Sequence, residues 1–438
     1  MSDTFSNRVA AAREALEEQG DTDAAFQELR WVFYEVELAG DPERLAVALT
    51  VLAGITAQAL GEEVAALVET AASNPDDPQA LYNLGYNMIE LGLPEVATCA
   101  LVRANTLTPG QEAIVTELVA ALERDGRNQT ACQILRAAPD LCQQSFICRY
   151  LLAFNSLMSA DLQTPRDLLP SLQQTRDAKE IHMAARIEAM LNRADLVQPC
   201  CALDGRDLRG WHFVTTGGLL LHLSPHGFDE GMNGRYAYVA DTFELCHLGL
   251  RRLEAALEAW EESPPWILAP PDRDSQILAA AAEELLGLPV VEYTPDAGPG
   301  LVVAYDLTRI AEETPPEILL HSPGQLLYAH ATCWTDPPRC APDVTALLYQ
   351  GLQTPWGERM QVSPEGEVTG IPEDTRSVED LAADIVAAAP NDELEQVDPL
   401  DRLIEAAAVM SPAASFRNEA GRRSPLWEGG PVQSKRFV

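Results

Sequence analysis

The residues best suited to ligand chemistry in this 438-residue chain follow two apolar segments that read as strands, WILAP and LVVAYDL. They are Asp272, Arg273, Asp274 and Ser275 after the first segment, and Asp306, Thr308 and Arg309 after the second. Sites in parallel sheets lie beyond the carboxyl ends of the strands, so both loops are candidate ligand-binding loops.

Each of these groups also has a purely structural interpretation. An acid directly before a helix satisfies free backbone amides and complements the helix dipole, which would explain Asp272 and Asp274. An exposed pair of Asp306 with Arg309 would contribute little to stability. Both interpretations therefore stand beside the ligand-binding one.

A third polar set lies in a glycine-rich loop, residues 224–235. Its members are His226, Asp229, Glu230, Asn233 and Arg235. This is the densest polar group of the second half of the chain, and we expect any further ligand contacts there.

Metal ligands and nucleophiles are sparse. His330, Cys333 and Cys340 form H-x2-C-x6-C, which is not a standard zinc spacing, and an interval of three in a strand places His330 and Cys333 on opposite faces. His222 lies in an apolar strand and is interpreted as a satisfied core histidine. Since GxSxG, HExxH, CxxC and GxGxxG do not occur in the sequence, we predict no catalytic residue, no metal and no cofactor.

An α/β domain over residues 196–360 would position these loops. Strands are predicted at WHFVTT, GLLLHLS, YAYVA, WILAP, PVVEY, LVVAYDL, EILLHS and QLLYAHATCW. Helices are predicted from an Asp241–Glu244 capping box to Glu262, from Ser275 to Leu286, and at PDVTALLYQGL. Buried apolar strands alternating with helices indicate a three-layer domain with a mostly parallel sheet.

The strand–loop–helix around residues 270–275 and the acidic strand end at 306–309 resemble the phosphoribosyltransferase-like fold over about residues 265–350. That resemblance implies a nucleotide- or phosphosugar-binding domain. The chain departs from the family at Asp306-Leu307-Thr308-Arg309, where no glycine lets backbone amides surround a phosphate. The resemblance therefore implies a degenerate member without the usual catalytic groups.

The N-terminal half is helical and repetitive. Residues 77–110 hold two apolar helical segments that meet at a Leu-Gly break, with small residues at Gly85 and Ala97, where the two helices are predicted to cross closely, and a terminating Pro109. A shift of 34 residues finds a second copy, in which Gly126 falls where Gly92 does. We predict an α-solenoid of about five helix pairs over residues 1–195, the alternative being an irregular helical bundle.

This repeat resembles the tetratricopeptide family, over about residues 5–140 and most specifically over 77–143. The resemblance implies a concave face that binds a protein or an extended peptide. On the first helix of the clear repeat, that face would include Tyr82, Asn83, Tyr86 and Asn87, which are otherwise ordinary solvated positions.

Charge and cysteine content restrict the functional classes. There are 30 basic against 67 acidic residues, a formal net charge of −37, which disfavours nucleic-acid and membrane-surface binding. Nine unclustered cysteines, a start without signal-peptide character and the lack of an apolar run long enough for a membrane span together predict a cytoplasmic protein with reduced thiols.

The net charge of the sequence changes sign near the C-terminal end. Residues 361–410 form an acidic helical and linker region that includes the capped helix SVEDLAADIVAAA, and residues 411–438 form a basic tail predicted to be disordered in isolation. Such a tail can dock on its own solenoid or on a neighbouring molecule, or it can be an unselected terminus.

The sequence thus predicts a multidomain α plus α/β protein that acts as an acidic cytoplasmic scaffold, binding a protein or peptide segment through its solenoid. The alternative is a ligand-sensing or enzymatic α/β domain that binds a nucleotide or phosphosugar. An enzymatic role stays open but is the less favoured of the two.

Overall fold

The computed structural model describes residues 4–35, 37–225, 231–309, 314, 316–320, 322–362, 368–389, 396–412, 423–427 and 429–434. The chain divides into two compact units between Ala184 and Ala185, slightly before the predicted boundary at residue 195. The first unit is helical, and the second contains a parallel sheet with helices. The predicted class, α plus α/β, is confirmed.

The helical unit is built from consecutive helices whose sequence neighbours pack on one another. They are α1 (Thr4–Glu14), α2 (Thr22–Phe33), α3 (Pro42–Ala59), α4 (Glu62–Ser73), α5 (Pro78–Glu90), α6 (Pro94–Leu107), α7 (Glu112–Arg124), α8 (Asn128–Arg136), α9 (Pro139–Gln144), α10 (Phe146–Leu157) and α11 (Gln163–Leu172). Helix α12 (Ala178–Val197) runs across the boundary between the units.

Helices α5 and α6 cross closely at Gly85, as the sequence predicts. A Cβ atom at Gly85 would lie 2.5 Å from Cγ of Leu101, so a larger residue here would require Leu101 or the two helices to shift. The turns that follow α5 and α7 use left-handed glycines at equivalent places, Gly92 at φ +73° and Gly126 at φ +67°. The spacing of 34 residues read from the sequence therefore corresponds to a repeated turn.

The α/β unit is organised on a seven-stranded sheet in the order β1-β7-β6-β5-β3-β4, with β2 also pairing β7. All pairings given for this sheet are parallel. The strands are β1 (Leu219–Leu220), β2 (Tyr236–Ala240), β3 (Ile267–Ala269), β4 (Val290–Glu292), β5 (Gly300–Asp306), β6 (Gln325–Cys333) and β7 (Val344–Gln353). A separate two-stranded antiparallel sheet contains β8 (Arg359–Val362) and β9 (Val368–Ile371).

The described part of this unit contains five more helices. They are α13 (Leu208–Thr216), α14 (Phe243–Ala259), α15 (Arg273–Leu286), α16 (Val378–Ala387) and α17 (Leu400–Val409). Helix α14 lies very close to one face of the sheet, because a Cβ atom at Gly249 would come within 2.9 Å of Oη of Tyr328 and Nδ1 of His330. The opposite face carries an apolar cluster that includes Val302 and Leu327.

Three predicted elements have a different secondary structure. WHFVTT forms helix α13, since the Asp207 side chain accepts from Gly210 N at 2.9 Å and Gly217 ends the helix at φ +78°. PDVTALLYQGL contains strand β7 instead of a helix, and EILLHS contains a 3-10 turn at Pro316–Leu319 instead of a strand. A short apolar run has no decisive period, and pairing with three strands decided the conformation of β7.

The C-terminal tail is ordered where the structure describes it. Arg423 is buried and forms an ion pair with Asp343, and Ala341 N donates to Ser424 O at 2.7 Å. Val432 is also buried. The sequence predicted disorder over 411–438. Residues 423–427 and 429–434 instead lie against the α/β unit, because Arg423 forms an ion pair with Asp343 and Val432 is buried there.

Candidate functional site

The loop after β3, which was predicted to bind a ligand, forms its polar contacts within the fold. Asp272 caps α15, its Oδ1 accepting from Ser275 N at 2.8 Å, and burial raises the pKa of its carboxyl group. Asp274 Oδ1 accepts from the Trp356 indole at 2.6 Å. Arg273 donates to the main chain of residues 374 and 376 and pairs with Glu373.

The polar groups of the loop after β5 also have their partners within the fold. Asp306 is 4% exposed, and its two carboxylate oxygens accept from Thr308 N at 2.9 Å and the Tyr349 hydroxyl at 2.5 Å. Burial raises the pKa of this carboxyl group, against the hydrogen bond from Tyr349. Arg309 donates to Leu352 O at 3.0 Å.

The structure does bring the two loops together, but it fills the space between them. Ser275 Oγ accepts from Tyr305 N at 3.0 Å, which ties α15 to β5. The Trp356 ring lies 5.2 Å from the Tyr305 ring and is only 2% exposed. In the described residues, the carboxyl edge of the sheet is therefore occupied by an aromatic side chain.

The glycine-rich loop contacts the C-terminal tail. Asn233 donates to Gln433 O at 2.6 Å, and Arg235 donates to Val432 O at 3.1 Å while its guanidinium lies 5.4 Å from the centre of the Trp334 ring. His226, Asp229 and Glu230 lie outside the described residues.

A polar cluster that the sequence did not predict lies under α14. The Asp241 Oδ2 atom is 2.5 Å from the Tyr305 hydroxyl, 3.0 Å from His330 Nε2 and 3.4 Å from Cys246 Sγ. The side chains of Asp241 and His330 are fully buried, and so is Cys246. Burial, followed by the charge of Asp241, raises the pKa of the Cys246 thiol well above its usual value.

Asp241 is therefore not the helix cap that the sequence predicts. Thr242 takes that role, its hydroxyl accepting from Leu245 N at 3.2 Å. The Asp241 side chain is directed to the cluster, except that Oδ1 accepts from Thr242 N at 2.8 Å.

The cluster lacks the geometry of a nucleophilic triad. In a Cys-His-Asp triad, the two partners contact different ring nitrogens of the histidine. Here Asp241 and Cys246 both contact His330 Nε2, at 3.0 and 3.8 Å, and Nδ1 is 3.4 Å from the Tyr328 hydroxyl. With all three side chains buried, the described geometry gives no access for a substrate.

A second buried network joins α13, α14 and the segment before α17. Asp398 Oδ2 accepts from Arg209 at 2.6 Å and from Arg252 at 2.9 Å. Both guanidiniums also donate to Leu221 O, at 3.1 and 2.9 Å. The network fixes the backbone that follows β1.

His222 lies just after this backbone and differs from expectation. It is fully buried, but neither ring nitrogen has a hydrogen-bond partner in the described part of the chain. Its pKa is lowered well below the usual value, by burial first and then by the charges of Arg252 and His330. It is a core histidine that is not satisfied.

In the helical unit, the four residues predicted to contact a partner share one side of α5. Asn83 and Tyr86 are exposed, Tyr86 by 47%, while Tyr82 and Asn87 are half-buried. Asn87 Nδ2 donates to Asn83 O at 2.8 Å. This face remains accessible in the helical unit.

The helical unit also contains a groove that the sequence did not predict. Its volume is about 590 Å³, and it is bounded by α8, α9, α10 and α11. Leu135, Pro139, Leu152 and Leu168 form its apolar walls, and Arg136, Arg149, Ser171 and Gln174 add polar groups. Repeat spacing does not reveal the groove, since it depends on the short α9 interrupting the helix pairs.

Neither known protein families nor curated protein sequences give a match to this chain. Within the described residues, no helix combines the length and the apolar character that crossing a membrane would require. The function has to be inferred from the geometry of the two units.

Proposed function

We propose that this protein is an interaction protein whose helical unit binds a segment of another protein. The groove bounded by α8 to α11 supports this most strongly. Its volume of about 590 Å³ lies within the range of small-ligand pockets, and apolar walls with a few polar groups are typical of such sites. A resemblance to tetratricopeptide repeats, which bind peptides, supports the same function.

The occupant is a peptide segment with an apolar anchor. The half-buried Leu168 offers apolar surface beside the largely buried Leu152. Arg136 and Arg149 are already engaged, with Asp161 and with the main-chain oxygens of residues 142 and 143. An apolar side chain thus gains more from this groove than a charged one, because burial releases water without breaking an existing ion pair.

A displayed random-peptide library, selected against the full chain, tests the proposal. Peptides with a shared apolar anchor should be enriched, and Ser171→Trp, which narrows the groove, should weaken their binding by at least tenfold. The control Gln163→Ala, on the same helix but outside the groove lining, should leave binding unchanged.

Tyr86→Ala distinguishes the two surfaces of the helical unit. Loss of binding in Tyr86→Ala with normal binding in Ser171→Trp would transfer the proposal to the α5 face. An absence of enriched peptides, or equal binding to wild type and both variants, would contradict it.

A further inference from the structure

We propose that Asp241, Cys246 and His330 bind a zinc ion inside the α/β unit. This site is independent of the peptide-binding groove. The three side chains offer an oxygen, a sulfur and a nitrogen ligand atom that lie within 4.8 Å of one another. Such a mixed set of donors suits Zn²⁺, which accepts thiolate, imidazole and carboxylate ligands in tetrahedral sites.

The distances between the ligand atoms fit one shared ion. From usual zinc–ligand bond lengths, a tetrahedral site separates O from N by roughly 3.3 Å, O from S by roughly 3.5 Å and S from N by roughly 3.6 Å. The corresponding distances between Asp241 Oδ2, His330 Nε2 and Cys246 Sγ are 3.0, 3.4 and 3.8 Å. Each differs from the tetrahedral value by no more than about 0.3 Å.

The groups around these three residues are those that metal ligands require. With His330 Nε2 on the ion, Nδ1 carries the proton and faces the Tyr328 hydroxyl at 3.4 Å. The Tyr305 hydroxyl donates to the ligating oxygen of Asp241. Partners of this kind orient the ligands of metal sites. Gly249 permits this arrangement, because a side chain there would meet both Tyr328 and His330.

Charge gives a physical reason for the ion. Among the described residues, no arginine or lysine pairs with the fully buried Asp241 side chain, and burying a charged group without a counter-charge is costly. Zinc binding displaces the thiol proton of Cys246 to solvent, so that one dication meets one carboxylate and one thiolate. The site then carries no net charge, and a water molecule takes the fourth position.

The site would have a structural role, since all three side chains are buried. It joins the start of α14 and the end of β2 to the middle of β6. Cys246 and His330 are 84 positions apart in the sequence, so one ion would stabilise a long-range contact of the fold.

The test uses the full chain without a histidine tag, carrying Cys200→Ser and Cys201→Ser. These two cysteines are neighbours with sulfur atoms 3.9 Å apart, and they would bind soft metals unspecifically. After incubation with zinc and desalting, elemental analysis should find one equivalent of zinc per chain. Cobalt should give the near-ultraviolet thiolate charge-transfer band and the visible absorption of a tetrahedral site.

Matched variants assign the ligands. Cys246→Ser should abolish the charge-transfer band, and Asp241→Asn and His330→Gln should each weaken zinc binding by at least tenfold. Cys333→Ser, a buried cysteine in the same strand as His330, should leave the spectrum unchanged.

The spectrum of the parent protein is decisive even where a variant fails to fold. A parent protein that retains far less than one equivalent of zinc, or that binds cobalt without a charge-transfer band, overturns the proposal. So does a folded Cys246→Ser variant with an unchanged band.

Discussion

Two buried acids of the α/β unit and one acid of the helical unit differ in the partners that they have. In the α/β unit, the buried Asp398 carboxylate is shared by two arginines, and Asp343 pairs with Arg423. In the helical unit, Glu123 accepts a hydrogen bond from the Asn155 amide, and no ion pair to it is found in the described residues. Asp398 and Asp343 of the α/β unit are therefore neutralised by arginines, whereas Glu123 of the helical unit is an acid that can titrate near neutral pH.

This difference bears on function. In the α/β unit, the residues predicted to bind a ligand form their hydrogen bonds within the fold. Asp272 caps α15, Asp274 accepts from Trp356, and Asn233 donates to the C-terminal tail. The helical unit instead keeps an exposed aromatic face on α5 and an open groove. Binding is thus best sought on the helical unit, and stability is best perturbed in the α/β unit.

The largest effect should come from Asp398→Ala. The substitution leaves Arg209 and Arg252 buried without their shared carboxylate, and removing one partner of a buried ion pair costs about 3–5 kcal/mol. Urea unfolding of the full chain measures the loss. The control is Glu254→Ala on α14, which breaks a half-exposed pair with Arg251 and should cost about 1 kcal/mol or less. Equal losses in the two variants would contradict the interpretation of the buried network.

An intermediate effect should appear as a pH dependence of the helical unit. Burial raises the pKa of Glu123 to about 7 from its usual 4.5. Between these two values the folded chain holds a proton that the unfolded chain releases, so stability falls as pH rises from 4.5 to 7. The expected loss is on the order of 3 kcal/mol.

Glu123→Gln isolates this contribution, because glutamine still accepts from Asn155 and does not ionise. Urea unfolding at pH 5 and pH 8 should show a smaller pH dependence in the variant and higher stability than wild type at pH 8. Glu95 and Asp125 also have raised pKa values. We expect these two acids to contribute the same pH dependence of stability to the wild type and to the variant. An identical pH dependence in the two proteins would show that Glu123 does not titrate in this range.

The smallest effect should come from Gly85→Ala. The new Cβ would lie 2.5 Å from Cγ of Leu101, and overpacking costs about 1–3 kcal/mol, partly offset by the better helix propensity of alanine, about 1 kcal/mol. A net loss on the order of 1 kcal/mol in thermal or urea unfolding is expected. At Gly40, where a Cβ meets no atom within 4 Å, the same substitution should have no such cost. A stabilised Gly85→Ala would mean that the helices can separate.

Local patterns let the sequence determine the helix pair at residues 77–110, the strands β2 to β6 and the capped helix α16. Each of these depends on residues within a few positions of one another. Gly85 could be assigned its role because the repeat spacing places a small residue where the two helices cross. The capping alternative for Asp272 follows from its place before α15, and it is confirmed by the hydrogen bond that Asp272 accepts from Ser275 N.

Tertiary structure alone decided the rest. Strand β7 was predicted as a helix, because only pairing with β1, β2 and β6 reveals its conformation. Asp241 approaches His330 from 89 positions away, and Arg423 meets Asp343 across 80 positions. No local spacing encodes such contacts, since the cost of closing a long loop is met only by the burial of the whole sheet. The sequence therefore specified the elements with strong local patterns, whereas packing specified β7 and which polar groups meet inside the fold.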